Sequence, residues 1–541
     1  MEPTRDDDDQ RPERPQRPEP VPLDRDPNPP PQSAIDLIEG RFLDPSTALV
    51  VKGVRPRSTV YVGPRLTIGY GADYYEMLDL LRGTARQLGW DVEPEDSPPR
   101  GDNPSAMRFG MRQVRITVAG RSAALAPDGW VLLQHARARY GVRRLRPVGL
   151  DHVMFPSLGP NPLHDSNPLH DSNPLHDSNP LHDSNPSRAS MSYAVSSYAT
   201  MGQGGRQPIS YAGPRPTRRP DHEIRGRRPV VAIVDTGCGN HPWLDQVVDT
   251  GVSLDGTPIG YIDQATAPDM HGDLSGPLDG SIDPLSGHGT FIAGLVHQTC
   301  PDADIISWRA VPSEGPIVES DWVLVLSQIA ELVRRFHAGE KGGRRIDVLN
   351  LSMGYYHETP EDELFDTTLH DILADLSANG VVVVCSAGND ATSRPQFPAA
   401  FAPWSDGKGP FRADPDIVPI VSVGAVNPSG GTDALFSNAG PWVRSYGPGA
   451  AVMSTMPAFE GGLQPVARSR AFGRWRSSID PDDFRGGFAV WSGTSFAAPV
   501  LAGRLASAMM PALEHQDDEP PAEGCVRRAW DAVEECTSIR S

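Results

Sequence analysis

The chain has 541 residues, room for two or more domains, and 49 basic against 69 acidic side chains leave a formal charge of −20. That balance argues against nucleic acid as a partner and against non-specific adhesion to a membrane. No apolar run approaches the ~18 residues of a spanning helix, and five cysteines, at 238, 300, 385, 525 and 536, exclude a fully paired disulfide framework and show no metal spacing.

The first residues, Met1 to Asp9, lack the cationic start and apolar core of a secretory signal, so a cytoplasmic location is expected. Residues 1–33 are rich in Pro and charge and read as a disordered tail. From 34 to 158 the character changes. Thr59 to Ile68 reads as a strand or bent hairpin, and Met77, Leu78, Leu81, Ala85 and Leu88 recur at helical spacing. A weak strand near Trp90 to Val92 precedes the alternation of Val114, Ile116 and Val118. Pro127-Asp128 opens a helix to about Tyr140, and Val148, Leu150 and Val153 to Phe155 suggest a closing strand. The rhythm β-α-β-β-α-β predicts a small α+β domain.

Asn161 to Pro186 holds four tandem copies of Pro-Leu-His-Asp-Ser-Asn. A unit with one Pro and one Leu builds no core, so 159–222 reads as a linker, with a divalent-metal array of its His and Asp as the minor alternative. The basic run Arg215, Arg218, Arg219, Arg225, Arg227 and Arg228 follows, either a solvated linker or the place of a maturation cut.

Residues 223–515 carry the chemistry. Val230 to Val234 is a buried parallel-strand pattern that ends on Asp235 of Asp-Thr-Gly. His288 stands in Gly-His-Gly-Thr and Ser495 in Gly-Thr-Ser-Phe-Ala-Ala-Pro, each opening an apolar, helix-like stretch. Further strands are expected at Ile346 to Leu351, Val381 to Cys385 and Ile417 to Val426, with helices near 320–338 and 363–379. Alternating strands and helices predict an α/β fold with a doubly wound, mostly parallel sheet, beside the small N-terminal α+β domain and disordered linkers. Residues 516–541 read as a polar tail with a short helix from Cys525 to Cys536.

An acid, a base and a hydroxyl in this company define nucleophilic catalysis. A serine hydroxyl is a poor nucleophile until a base takes its proton. A neutral imidazole does so and later protonates the leaving amine, while a buried carboxylate fixes its tautomer. Ser495 is therefore the candidate nucleophile, His288 the general base and acid, and Asp235 the orienting carboxylate.

The order Asp, His, Ser and the motifs around them resemble the subtilisin-like serine peptidases over about residues 223–515. The resemblance implies an endopeptidase acting on peptide or protein substrates through an acyl-enzyme. It implies that Asn389, in Ala387-Gly388-Asn389, presents its amide to the oxyanion, with Ala387 and Gly388 beside the substrate. It implies that Ser352-Met353-Gly354 pairs with substrate backbone, Met353 walling the pocket for the residue before the cut. It also implies that an N-terminal domain can assist folding and block the cleft, against the alternative of an unrelated docking domain. No organic cofactor is expected; calcium often stabilises relatives, but no ligand set stands out. Two other readings of the same site are a transpeptidase or macrocyclase, and a silent peptide-binding module.

The spacings, 288 − 235 = 53 and 495 − 288 = 207 residues, exceed those of compact relatives. Insertions are expected at Leu254 to Ser286 and Phe459 to Phe488, rimming the cleft. Cys238, three residues past Asp235, reads as a buried spectator rather than a reactive thiol.

Overall fold

The structure, a computed structural model, describes residues 24, 26–27, 32–47, 49–95, 108–120, 124–156, 195, 197–202, 204–276, 278–313, 315–360, 367–514 and 521–540. The tail reading for 1–23 and the hexapeptide repeats lie outside the described residues.

The N-terminal domain runs β1 (Val60–Gly69), α1 (Tyr74–Ala85), β2 (Trp90–Pro94), β3 (Met111–Val118), α2 (Gly129–Tyr140) and β4 (Val148–Pro156). Both helices start where an Asp side chain accepts a first-turn N–H: Asp73 from Glu76, and Asp128 from Val131. The sheet is antiparallel in the order β4-β1-β3-β2. Its apolar face, including Leu66, Ile68, Val114 and Ile116, packs on Leu78, Leu81, Leu132 and Leu133 of the helices. The segment expected as a strand or bent hairpin over Thr59 to Ile68 is one strand, Val60–Gly69, with a register irregularity between Tyr61 and Leu66.

After the linker the chain makes the short β5 (Gln207–Pro208), then enters the main sheet at β6 (Val230–Asp235). Helix α3 (His288–Thr299) follows, then β7 (Asp304–Arg309), β8 (Ile317–Val318) and α4 (Glu319–His337). Next come β9 (Val348–Leu351), β10 (Met353–Gly354), α5 (Thr368–Ala378), β11 (Val382–Ser386) and β12 (Val421–Val426). The main sheet is parallel, in the order β13 (Ser445–Pro448), β12, β11, β9, β6, β7, with Val248–Asp249 at the far edge. The chain leaves β6 for β7 on one side and returns to β9 on the other. That reversal opens a crevice at the carboxyl ends of β6 and β9, where doubly wound sheets place their sites.

Side chains alternate across the sheet. Val231, Ile233, Val348 and Val384 face α3 and the long α6 (Thr494–Glu514), whereas Ala232, Val234, Leu349 and Val383 face α4 and α5. By length and hydropathy α6 would reach across a bilayer, but the relevant window is 72% buried inside the protein. The last helix, α7 (Ala522–Cys536), is not a free tail. Val526, Ala529, Trp530 and Val533 sit in the same core as α6.

The basic run is also less free than a linker. Arg219 pairs with Asp302 and Glu514, Arg227 with Asp347, and Arg228 with Asp221 and Asp302. The chain is anchored well before it: Tyr198 stacks edge-on against Phe436, and β5 pairs with β17 (Phe488–Trp491), whose other edge pairs with β14 (Val452–Thr455).

The two domains meet along β4. Val153 and Met154 pair antiparallel with Val318 and Ile317, while Phe155 and Pro156 pair antiparallel with Gly354 and Met353. One strand thus fills the gap between β8 and β10. Beside it Asp151 accepts the N–H of Ser320 in the first turn of α4 at 3.0 Å, with burial pushing its carboxyl up to about 6 against the pull of Arg65. His152 lies between Glu319, at 2.6 Å from Nδ1, and Glu358, at 2.8 Å from Nε2. Burial alone would lower this imidazole, but the two carboxylates raise it to about 10.

Candidate active site

Asp235 is the last residue of β6 and fully buried. Its Oδ1 accepts from the Thr236 N–H at 2.8 Å and lies 2.7 Å from His288 Nδ1. His288 opens α3 behind Gly287, whose φ of 83° is left-handed and at which a Cβ would meet the Met456 side chain. The start of α3 is tied back to the acid by the Gly289 N–H, which donates to Thr236 Oγ1 at 2.8 Å. With Nδ1 given to the carboxylate, Nε2 is free for proton transfer, and it has no hydrogen-bond partner among the described residues.

Ser495 lies in the first turn of α6, where backbone N–H groups have no helical acceptor. Its hydroxyl donates to the Ser352 carbonyl at 3.3 Å, just past the end of β9. The structure therefore joins Asp235 to His288 directly, but turns the Ser495 hydroxyl toward Ser352 rather than the imidazole. Phe496 and Trp491 close the space around the ring, with centroids 5.3 and 5.7 Å from His288.

Asn389 follows β11. Its Oδ1 accepts from both the N–H and the hydroxyl of Thr494, the residue before Ser495, each at 2.9 Å. With the oxygen held there, the amide NH₂ is set on the other side of the group. Thr494 also accepts the Gly388 N–H at 3.0 Å, and Asn438 binds the Ala387 carbonyl at 2.8 Å and the Asp390 N–H at 3.0 Å. Gly388 has φ 98°, and a Cβ there would run into Gln396 and Asn438. Sequence reading missed Thr494 and Asn438 as supports: the first was hidden inside the Ser495 motif, and the second sits in a loop without periodicity.

Met353 and Gly354, of the segment Ser352 to Gly354, pair antiparallel with the chain's own β4. Met353 is fully buried there. Ser352 Oγ accepts from Asn350 Nδ2 and donates to the Ser495 carbonyl, both at 3.0 Å.

The insertion before His288 supplies a buried carboxylate that sequence reading did not single out. Asp269 accepts the Thr290 N–H at 2.8 Å and the Thr290 hydroxyl. Burial pushes it up to about 6. Cys238 is held neutral by burial, its thiol well above the ordinary range, which fits an inert side chain.

A parallel α/β sheet with an acid–base pair at its switch point and a serine at a helix start is the architecture of a subtilisin-like protease. Residues 226–520 match the subtilase family (peptidase S8), more than half of the chain, and the chain belongs to that family of serine proteases. It is 25% identical to the intracellular serine protease of Paenibacillus polymyxa over 300 residues, 53% of this chain and 68% of that protein. It is 22% identical to the major intracellular serine protease of Bacillus subtilis over 298 residues, 52% of this chain and 69% of that one. Among solved structures, a lanthipeptide protease shares 20% identity at a TM-score of 0.36, covering 58% of this chain and 90% of its own.

Proposed function

We propose that the protein is a serine endopeptidase in which an extended peptide lies between β8 and β10 and is cut through an acyl-enzyme on Ser495. Rotation of the Ser495 side chain into the staggered position facing His288 brings the hydroxyl to Nε2, which takes the proton as Oγ attacks the carbonyl. The oxyanion is met by the Asn389 amide and the Ser495 N–H. His288 then protonates the departing amine, and water resolves the ester by the reverse sequence. The observation that carries this reading is the buried Asp235–His288 pair, 2.7 Å apart with Nε2 unpaired. Five free cysteines suit a reducing compartment, and we place the enzyme in the cytoplasm.

A second reading concerns control, and the pairing of β4 with β8 and β10 favours it. The N-terminal domain fills the backbone-pairing edges that a substrate would use, so the intact chain is held inactive until cut beyond Pro156. The direction of β4 supports this. Stepping from Phe155 to Pro156 moves from Gly354 to Met353, toward Ser352 and the Ser495 hydroxyl. Wild type and Ser495→Ala purified in parallel test both readings. Wild type should yield two fragments that stay associated, and Ser495→Ala should remain one chain. Two intact chains with wild type fully active would refute control by cleavage; equal peptidase activity in both would refute the nucleophile.

A further inference from the structure

The insertion Phe459 to Phe488 is rooted by Phe459 and Phe484 in the core, then leaves the body as a hairpin, β15 (Arg468–Ala471) and β16 (Arg474–Ser477). The hairpin pairs with no other strand among the described residues. Its turn is Phe472-Gly473, with φ 50° and 78°. Cross-strand register sets Arg470 opposite Trp475 and Arg468 opposite Ser477, so one face presents two arginines and the indole. Their guanidinium carbons lie 5.4 and 5.8 Å from the Trp475 ring centroid. Arg474 and Arg476 lie on the other face. Phe472 is wholly exposed and Trp475 is 66% exposed. From Leu463 to Ile479 there are four arginines and no acidic residue, in a chain of charge −20.

Chain path and charge say what this surface meets. The chain between Pro156 and Val195 ends beside the hairpin's root. It starts at Pro156, paired with Met353 next to the nucleophile's partner Ser352. Beyond Val195 the chain runs to Arg206, over the rings of Phe484 and Trp491 at 5.8 and 5.0 Å, and to β5, which pairs with β17, the strand that ends the insertion. The second point is charge: residues 157–186 contain four Asp, one per repeat, and no Lys or Arg.

We propose that the β15–β16 hairpin is a docking surface for the acidic hexapeptide repeats of its own chain. An Asp carboxylate bridges a same-face arginine pair through charge-assisted bonds, while the Pro and Leu of the repeat lie on Trp475 and Phe472. An extended repeat is ~20 Å long, longer than the four-residue strands of the hairpin. One repeat therefore binds at a time and the four copies are interchangeable. Each contact is weak alone, and it holds because the linker supplies an effective concentration in the mM range. The proposal needs no catalysis and goes beyond the proteolytic reading.

The test uses full-length Ser495→Ala, in which the linker stays uncut whether or not the proteolytic reading is right. Phe472 is replaced by the photo-crosslinker benzoylphenylalanine, and cross-linked peptides are mapped by mass spectrometry. The expected result is intramolecular cross-links within 157–186, lost when Asp165, Asp171, Asp177 and Asp183 all become Asn, retained when only one does, and reduced severalfold at 1 M salt, where screening acts over about 3 Å. Cross-links elsewhere in the chain, to a second copy, or only to added anionic vesicles or nucleic acid would overturn it. So would cross-links that survive the fourfold Asp→Asn change.

Discussion

Asn389 is tied to the start of the Ser495 helix by Thr494, which grips the amide oxygen twice at 2.9 Å. Asn389→Ala should lower kcat by about 10²–10³ with little change in KM, the loss found for one such donor in a relative. A raised KM with kcat unchanged would place the residue in binding instead. At this scale the sequence was most legible where chemistry and backbone demand coincide. Asp235 ends a β-patterned run, and His288 and Ser495 open helices behind Gly and Thr. Asp269 and Asn438 were not legible, because a buried carboxylate and a loop-bracing amide carry no periodicity; Asp269 lies 290 − 269 = 21 residues from Thr290, which it holds, and Asn438 lies 438 − 389 = 49 residues from Asn389, whose loop it braces. Nor does sequence give the rotamer of Ser495, whose hydroxyl faces the Ser352 carbonyl.

Strand β4 belongs to the N-terminal sheet at its start and to the cleft edges at its end. His152, at the changeover, is clamped by Glu319 of α4 and by Glu358, with His357 and Arg137 also facing Glu358. Its imidazole is raised to about 10 when docked, above the ordinary 6.5, so docking takes up a proton that the free domain releases. Docking is therefore fully supported below about pH 6.5 and weakens as pH rises toward 10, by at most about tenfold per pH unit. In Ser495→Ala with the linker cut by an added protease, co-elution of the two domains should hold at neutral pH and fade with alkali. His152→Gln should weaken co-elution at neutral pH and flatten the dependence; an unchanged slope would remove His152 from the account.

Helix α7 was readable as a helix from Cys525 to Cys536, but its docking was not, since a short amphipathic helix does not name its partner. Trp530, 5% exposed and donating to the Ile417 carbonyl at 3.2 Å, shows where it belongs. Trp530→Ala should cost about 3–5 kcal/mol of stability, seen as a lower Tm; a loss under 1 kcal/mol would make the helix an appendage. The hairpin β15–β16 escaped sequence reading for the opposite reason: both faces are exposed, so no apolar alternation marks it.

For the whole molecule, the alternation of strands and helices was enough to foresee a doubly wound, mostly parallel sheet, and a β-α-β-β-α-β domain ahead of it. The placement of one domain on the other was not, because Val153 and Met154 read the same whether they face their own core or β8. Long-range ion pairs such as Arg219 with Glu514 are equally silent in sequence. All of the functional account rests on one group, the hydroxyl of Ser495, becoming an activated nucleophile beside His288. A fluorophosphonate probe applied to linker-cleaved protein, followed by peptide mass spectrometry, tests this directly. The account predicts a single adduct on Ser495, absent in Ser495→Ala and strongly reduced in His288→Ala. A folded wild type that takes no label, or labelling that persists in Ser495→Ala, would contradict it.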